Sequence, residues 1–270
     1  EIRASDWSSD VCSSDLSSFL FTYCIIEFLV STVLLCIGIW LKYSSFPSDF
    51  VSFINNDIDH PIKTSNVSYP SLILIFIIFG IVMGVLFALN KFNVLIIKVL
   101  NAYYFSISFS FLIAAFMQRI IGRPKPDTNA YCGSTFYECS KVLKKKQLNE
   151  QFRSFPSLYT TLSMNSGIFL SLLLSELWGC YNMLAVLVKL IPTCYGLFVG
   201  ISQIWNRANH IDDVLTGMLI GTIIAFFTAN SLVSDIRFNF VEFSHSSNEM
   251  STASGSTTSQ KLFQDRKSVV

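Results

Sequence analysis

The sequence predicts an all-α, polytopic membrane protein, a bundle of six transmembrane helices. Two observations carry that prediction. The 270 residues are 51% hydrophobic and only 14% charged, with a formal net charge of +1, and the mean hydropathy is +0.51. A soluble domain of this size needs a more polar surface. In addition, six apolar stretches, at about 18–41, 70–90, 94–117, 157–178, 183–205 and 211–234, each match the roughly 20 residues a helix needs to cross a bilayer. Lipid offers the backbone no hydrogen-bond partners, so spans of this kind are helices. A near-neutral charge balance gives no reason to expect a nucleic-acid partner.

The connections support the same layout. A polar segment, "KYSSFPSDFVSFINNDIDHPIKTSNVSYPS", separates the first two spans, and "NKFN" joins the second to the third. A long polar loop at about 122–155 follows, then "GCYN" and "NRANH" close the last two connections. Within the spans, Lys98 and Lys189 are placed to snorkel toward a helix end. Glu27 lies deeper and suits a polar contact between helices or a functional site. Pro192 is expected to kink the fifth span. Residues 17–235 are read as the membrane domain and 236–264 as a Ser/Thr-rich disordered tail. Residues 6–16 and 265–270 correspond to translations of a common sequencing-adapter string, and 1–16 and 265–270 are read as assembly scars.

Cys24, Cys36, Cys180 and Cys194 sit in or beside apolar segments and are expected to be small buried hydrophobes. Cys132 and Cys139 share the polar loop and are disulfide candidates if it faces an oxidising compartment. Asn66 opens a glycosylation sequon, Asn66-Val67-Ser68, on the same side by helix count. The basic residues of the 122–155 loop would instead place that side in the cytosol. His60, His210 and His245 are scattered without ligand spacing, so neither a metal nor another cofactor is expected.

Three polar motifs fall where alternating spans meet one face of the membrane: "QRIIGRPKPD" (118–127), "FPS" (155–157) and "SQIWNRANHIDDVLTG" (202–217). Each alone has a plain reading as a turn, a helix start, or a capped helix with an acidic first turn. In this order and on one face they can instead surround an anion, with Arg123, Lys125 and Arg207 supplying charge.

On these motifs the chain resembles the type 2 phosphatidic acid phosphatase (lipid phosphate phosphatase) and haloperoxidase superfamily. That superfamily carries Lys-x6-Arg-Pro, then Pro-Ser-Gly-His, then Ser-Arg-x5-His-x3-Asp on a six-helix core. The "GRPKPD" run, a cysteine-bearing loop and "FRSFPS" are similar to its diacylglycerol pyrophosphate phosphatase-like branch. The resemblance implies a site for phosphatidate-like lipid phosphates in the plasma membrane or endoplasmic reticulum, facing outward or to the lumen. It also allows a homo-oligomer, or a hetero-oligomer with active relatives.

Position by position, the chemistry has been changed. The first motif's lysine falls on Gln118 and its arginine on Lys125, while Pro126 matches. In the second, Pro156 and Ser157 match, but Leu158 replaces glycine and Tyr159 the histidine. In the third, Ser202 and Asp213 match, Gln203 replaces arginine and Asn209 the histidine. In the superfamily the last-motif histidine attacks phosphorus, the aspartate holds its ring, and the second-motif histidine protonates the leaving alkoxide. An amide at Asn209 cannot be that nucleophile, and the Tyr159 hydroxyl, with a reference pKa of about 10, is poorly poised as the acid. The site therefore reads as a phosphate pocket (Arg123, Lys125, Ser157, Ser202, Arg207) with no intact catalytic set: a pseudo-phosphatase that binds lipid phosphate. The alternative is an active lipid phosphatase with a rearranged site. In it His210 would substitute, although the neighbouring position is about 100° away on a helix and its i+4 residue is Val214. Arg119 could reach toward the missing lysine, and Arg207 toward the charge lost at Gln203. A third possibility is that the helices serve packing alone.

Overall fold

Apolar length and lipid solvation require helices, and the computed structural model consists of helices alone among the residues it describes: 7–44, 80, 94–132, 141–177, 182–232 and 234. In chain order they are α1 (Trp7–Tyr43), α2 (Val94–Ile121), α3 (Thr128–Cys132), α4 (Lys145–Gln151), α5 (Leu158–Leu177), α6 (Met183–Trp205) and α7 (Ile211–Leu232). Five of these (α1, α2, α5, α6 and α7) contain stretches long and apolar enough to cross a membrane. They correspond to the first, third, fourth, fifth and sixth spans read from sequence. The second, 70–90, lies outside the described residues apart from Gly80. So do Asn66, Cys139, Cys180 and the Cys132 side chain, and with them the proposed disulfide and sequon. The chain divides after Ala229, and the packing below concerns residues up to that point.

α1 and α2 run parallel. Asn101 Nδ2 donates to the Cys24 carbonyl at 2.9 Å, Phe28 stacks on Tyr104 at 5.3 Å, and Trp40 lies beneath the Arg119 guanidinium at 5.4 Å.

α5 is the enclosed helix, with 67% of its apolar window buried against 33% for α6 and for α7. It takes α2 on one side, and small residues admit α6 and α7 on the others. A Cβ on Gly167 would lie 2.5 Å from the Pro192 carbonyl oxygen, and one on Gly221 only 2.3 Å from that of Thr161. Such backbone approach is the means by which membrane helices associate when lipid removes the hydrophobic drive. Gly217 and Gly221, one turn apart, set α7 against α5.

Polar groups seal the α2–α5 seam. Asn165, fully buried, donates Nδ2 to Ser106 Oγ and Ser110 Oγ, both at 2.8 Å, and Tyr103 donates its hydroxyl to Ser166 Oγ at 3.0 Å. In the sequence these serines carry no assigned role. In an apolar surround they find partners across the helix pair because the alternative is an unsatisfied buried hydroxyl.

The bundle's outside is apolar. Leu187, Ile191, Phe198 and Trp205 of α6 are all exposed, which fits a lipid-facing surface. Cys24 is buried as expected, but Cys36 and Cys194 are exposed on this outer surface, because helix rotation and not residue type decided their face. Lys189 is buried in the bundle, contrary to the snorkelling expected of it. Pro192 is accommodated within a continuous α6.

Candidate functional site

The C-terminal ends of α1, α2 and α6 and the N-terminal ends of α5 and α7 meet at one end of the bundle. Local sequence produces each end. At Gly122, φ is +59° and its N–H returns to the Gln118 carbonyl at 3.2 Å, so a glycine in the left-handed region stops α2 before Pro124. At the end of α6 the same device appears without glycine. Arg207 has φ +56°, its N–H bonds the Ile204 carbonyl at 3.0 Å, and the Ala208 N–H bonds that of Gln203 at 3.0 Å. This is a Schellman closure, and holding a non-glycine there costs about 1–3 kcal/mol. At the start of α7 the His210 carbonyl accepts from the Val214 N–H at 3.2 Å, and Asp213 reaches back to the His210 N–H at 3.0 Å. Asp213 is thus the N3 member of a capping arrangement.

Two loop segments complete the floor. The Lys125 N–H donates to the Gln151 carbonyl at 2.9 Å, and the Ser154 N–H to that of Arg123 at 3.0 Å. Between the helix ends lies a cavity of about 200 Å³, lined among the described residues by Lys42, Gln118, Lys125, Glu150, Arg153, Leu158, Tyr159, Gln203, Ala208 and Asn209. The four positions where the expected catalytic and cationic side chains are replaced (Gln118, Tyr159, Gln203 and Asn209) therefore converge on one space, together with Lys125.

Hydrogen bonds fix the wall residues and the site residues behind them. Asn209 is buried, donates Nδ2 to the Ser154 carbonyl at 2.6 Å, and accepts at Oδ1 from Ser157 Oγ at 3.2 Å. Its amide is engaged at both ends. Gln118 donates Nε2 to the Pro156 carbonyl at 2.8 Å. Ser202 donates to the Val199 carbonyl at 2.6 Å and does not line the cavity; nor do Ser157 and Arg207.

Arg123 is the largest departure from the sequence reading. It does not line the cavity but pairs through Nη1 with Asp213 Oδ1 at 2.7 Å and with Asp212. Burial works against its charge, but the two carboxylates outweigh that and raise its pKa further above the ordinary guanidinium value. Asp213 has no exposed surface, and beyond Arg123 it accepts from Ser154 Oγ, the His210 N–H and the His210 ring at Nδ1, 3.0 Å away. Arg119 turns to the Trp40 ring and not into the cavity.

Asp127 gives a prediction about stability. It is buried, Oδ1 has no hydrogen-bond partner among the described residues, and burial raises its pKa, partly offset by Lys125. A carboxyl whose folded pKa is raised favours folding below its unfolded pKa, and that contribution is lost as pH rises through the folded value. At neutral pH the charge opposes folding, so Asp127→Asn should raise the melting temperature in detergent at pH 7, with the gain shrinking toward pH 4. An equal or lower melting temperature at pH 7 would contradict this.

Sequence reasoning did not find Lys42, Glu150 or Arg153 as cavity residues. Arg153 was visible only as one of the basic residues of the 122–155 loop, and Lys42, just past the first apolar stretch, drew no reading. Nothing local in the chain ties either to the motifs.

Comparison with known proteins fits this geometry. Residues 99–236 match the family described as the PAP2 superfamily. Among curated relatives, the chain is 29% identical over 135 residues to the "Probable diacylglycerol pyrophosphate phosphatase 1" of Schizosaccharomyces pombe, covering 45% of this chain and 48% of that one. It is 26% identical over 217 residues to lipid phosphate phosphatase 1 of Arabidopsis thaliana, covering 74% and 65% respectively. To human phospholipid phosphatase 2 it is 25% identical over 151 residues, 52% of each chain. The chain thus spans between about half and two-thirds of these relatives' lengths. No solved structure matches it. With the match covering half the chain and all three motif regions, the chain is an integral membrane member of the PAP2 superfamily.

Proposed function

We propose that this protein binds the phosphate headgroup of a phosphatidate-like lipid and does not hydrolyse it. One observation carries the reading. At the position of the superfamily's nucleophile, the residue lining the cavity is Asn209, and its amide is committed to Ser154 and Ser157. An amide in that state offers no lone pair of useful basicity toward phosphorus. Loss of a nucleophile costs on the order of 10⁵–10⁶ in turnover in other hydrolases. Tyr159, at the place of the general acid, lines the same cavity but is mismatched to proton transfer at neutral pH. Lys125 remains to hold the anion.

A second reading has its own support. The His210 ring meets Asp213 at 3.0 Å through Nδ1, the pairing that orients a nucleophilic imidazole. The i+4 spacing argument against His210 does not hold, because Asp213 at i+3 receives it. His210 does not, however, line the cavity among the described residues, and the binding reading is favoured for that reason.

Phosphate release from dioctanoyl phosphatidate by the full-length protein in detergent micelles separates the two. We expect no release above background from wild type or from His210→Ala. Release by wild type that disappears in His210→Ala would establish the rearranged enzyme and end the non-hydrolytic reading.

A further inference from the structure

Two of the superfamily's cationic positions are neutral here, Gln118 and Gln203, yet the cavity they line is not short of positive charge. Among the described residues, Lys42, Lys125 and Arg153 line it, against the one carboxylate of Glu150. Of these, Lys42 comes from a part of the chain that carries none of the motifs.

Its placement is built. Lys42 lies in the last turn of α1, where a cation also suits the helix dipole. Three contacts hold that turn against the site. Gly38 brings the α1 backbone close to α2, since a Cβ there would lie 2.7 Å from Phe111 Cδ1 and 3.3 Å from the Leu112 Cα. Trp40 lies under the Arg119 guanidinium at 5.4 Å. Arg153 Nη2 donates to the Ser44 carbonyl at 3.0 Å. Lys42 sits between these anchors, and its side chain makes no hydrogen bond or ion pair with another described residue.

We propose that Lys42 is a phosphate-binding residue of this protein, restoring from α1 the charge lost at Gln118 and Gln203, and that the cavity takes a small phosphomonoester group with any acyl chains left outside. The inference rests on the lipid-phosphate reading above. Size supports the second part, because about 200 Å³ is below the roughly 300–1,000 Å³ of pockets that enclose whole drug-sized ligands. Charge supports the first, because three cations around one carboxylate are best balanced by an anion carrying more than one negative charge.

The test is calorimetric titration of the full-length protein in neutral detergent with three probes: inorganic phosphate, dioctanoyl phosphatidate and dioctanoyl phosphatidylcholine. Wild type should bind phosphatidate and not phosphatidylcholine. Lys42→Gln should weaken phosphatidate binding about 10- to 100-fold, the range for one charge-assisted hydrogen bond, and Lys42→Arg should restore most of it. Inorganic phosphate bound with the same Lys42 dependence would show that the phosphate group alone is recognised. Phosphate left unbound would show that the site reads it in the context of a lipid. Either result supports the role of Lys42 when phosphatidate binding depends on it. If Lys42→Gln binds phosphatidate as wild type does while Lys125→Ala does not, the role of Lys42 is overturned and the binding reading stands. If wild type binds neither phosphate probe, both fall.

Discussion

Asp213→Ala should destabilise the protein more than any other single change around the cavity, by about 3–5 kcal/mol, the cost of breaking a buried ion pair from one side. The carboxylate has no exposed surface and serves four groups from three parts of the chain. Arg123 Nη1 reaches it at 2.7 Å, Ser154 Oγ donates to it, and the His210 N–H and ring each meet it at 3.0 Å. Its removal leaves the Arg123 charge with only the more exposed Asp212 and uncaps the start of α7. Arg123→Ala should cost less than Asp213→Ala, since it removes one of the carboxylate's four partners and leaves Ser154 and His210 bonded to it. Thermal unfolding of the two single variants and the double variant would show it. Additive losses would mean the pair does not act as a unit. This role also makes Asp213→Ala a poor control for activity, since lost release could reflect lost fold, whereas His210→Ala removes one partner only.

Gly221→Leu should abolish folded yield. Even the first atom of a side chain there would stand 2.3 Å from the Thr161 carbonyl oxygen and 3.0 Å from the Asn165 backbone nitrogen. Both are backbone atoms of the most enclosed helix, so neither can swing aside as a side-chain end would. Overpacking a well-filled core commonly costs about 1–3 kcal/mol. Here α7 must move off α5, which also pulls Asp213 and Asn209 from Ser154. Gly200→Ala is the informative comparison: its Cβ would meet side-chain atoms only, the flexible end of Met218 at 2.6 Å and Thr160 Cγ2 at 3.0 Å, and should be tolerated much better. Size-exclusion profiles of the two variants in detergent decide the matter. A monodisperse Gly221→Leu protein with wild-type retention would refute the prediction.

The sequence by itself determined what depends on local pattern. Apolar length marked all five described spans, because crossing lipid imposes a length and a composition on contiguous residues. The resemblance singled out Gln118, Tyr159, Gln203 and Asn209, and these four line one cavity, because each motif sits at or next to a helix end and alternating spans bring those ends to one face. The acidic first turn at 212–213 was legible as a helix cap, and Asp213 is one.

Tertiary structure decided which charges face the cavity. Arg123 and Lys125 are near neighbours in one motif, yet only Lys125 lines the space, because Arg123 finds two carboxylates on α7 that no local rule could assign to it. His210 meets Asp213 from i+3 because it precedes the first helical turn and its ring is not bound by helix geometry, yet it does not line the cavity. Lys42 joined the site only through the packing of α1 against α2, where a glycine, a Trp–Arg contact and a bond from Arg153 set the register. Charge placement of this kind depends on distances between segments far apart in the chain. A sequence fixes which helices form, but the electrostatic character of the cavity between them follows from how they pack.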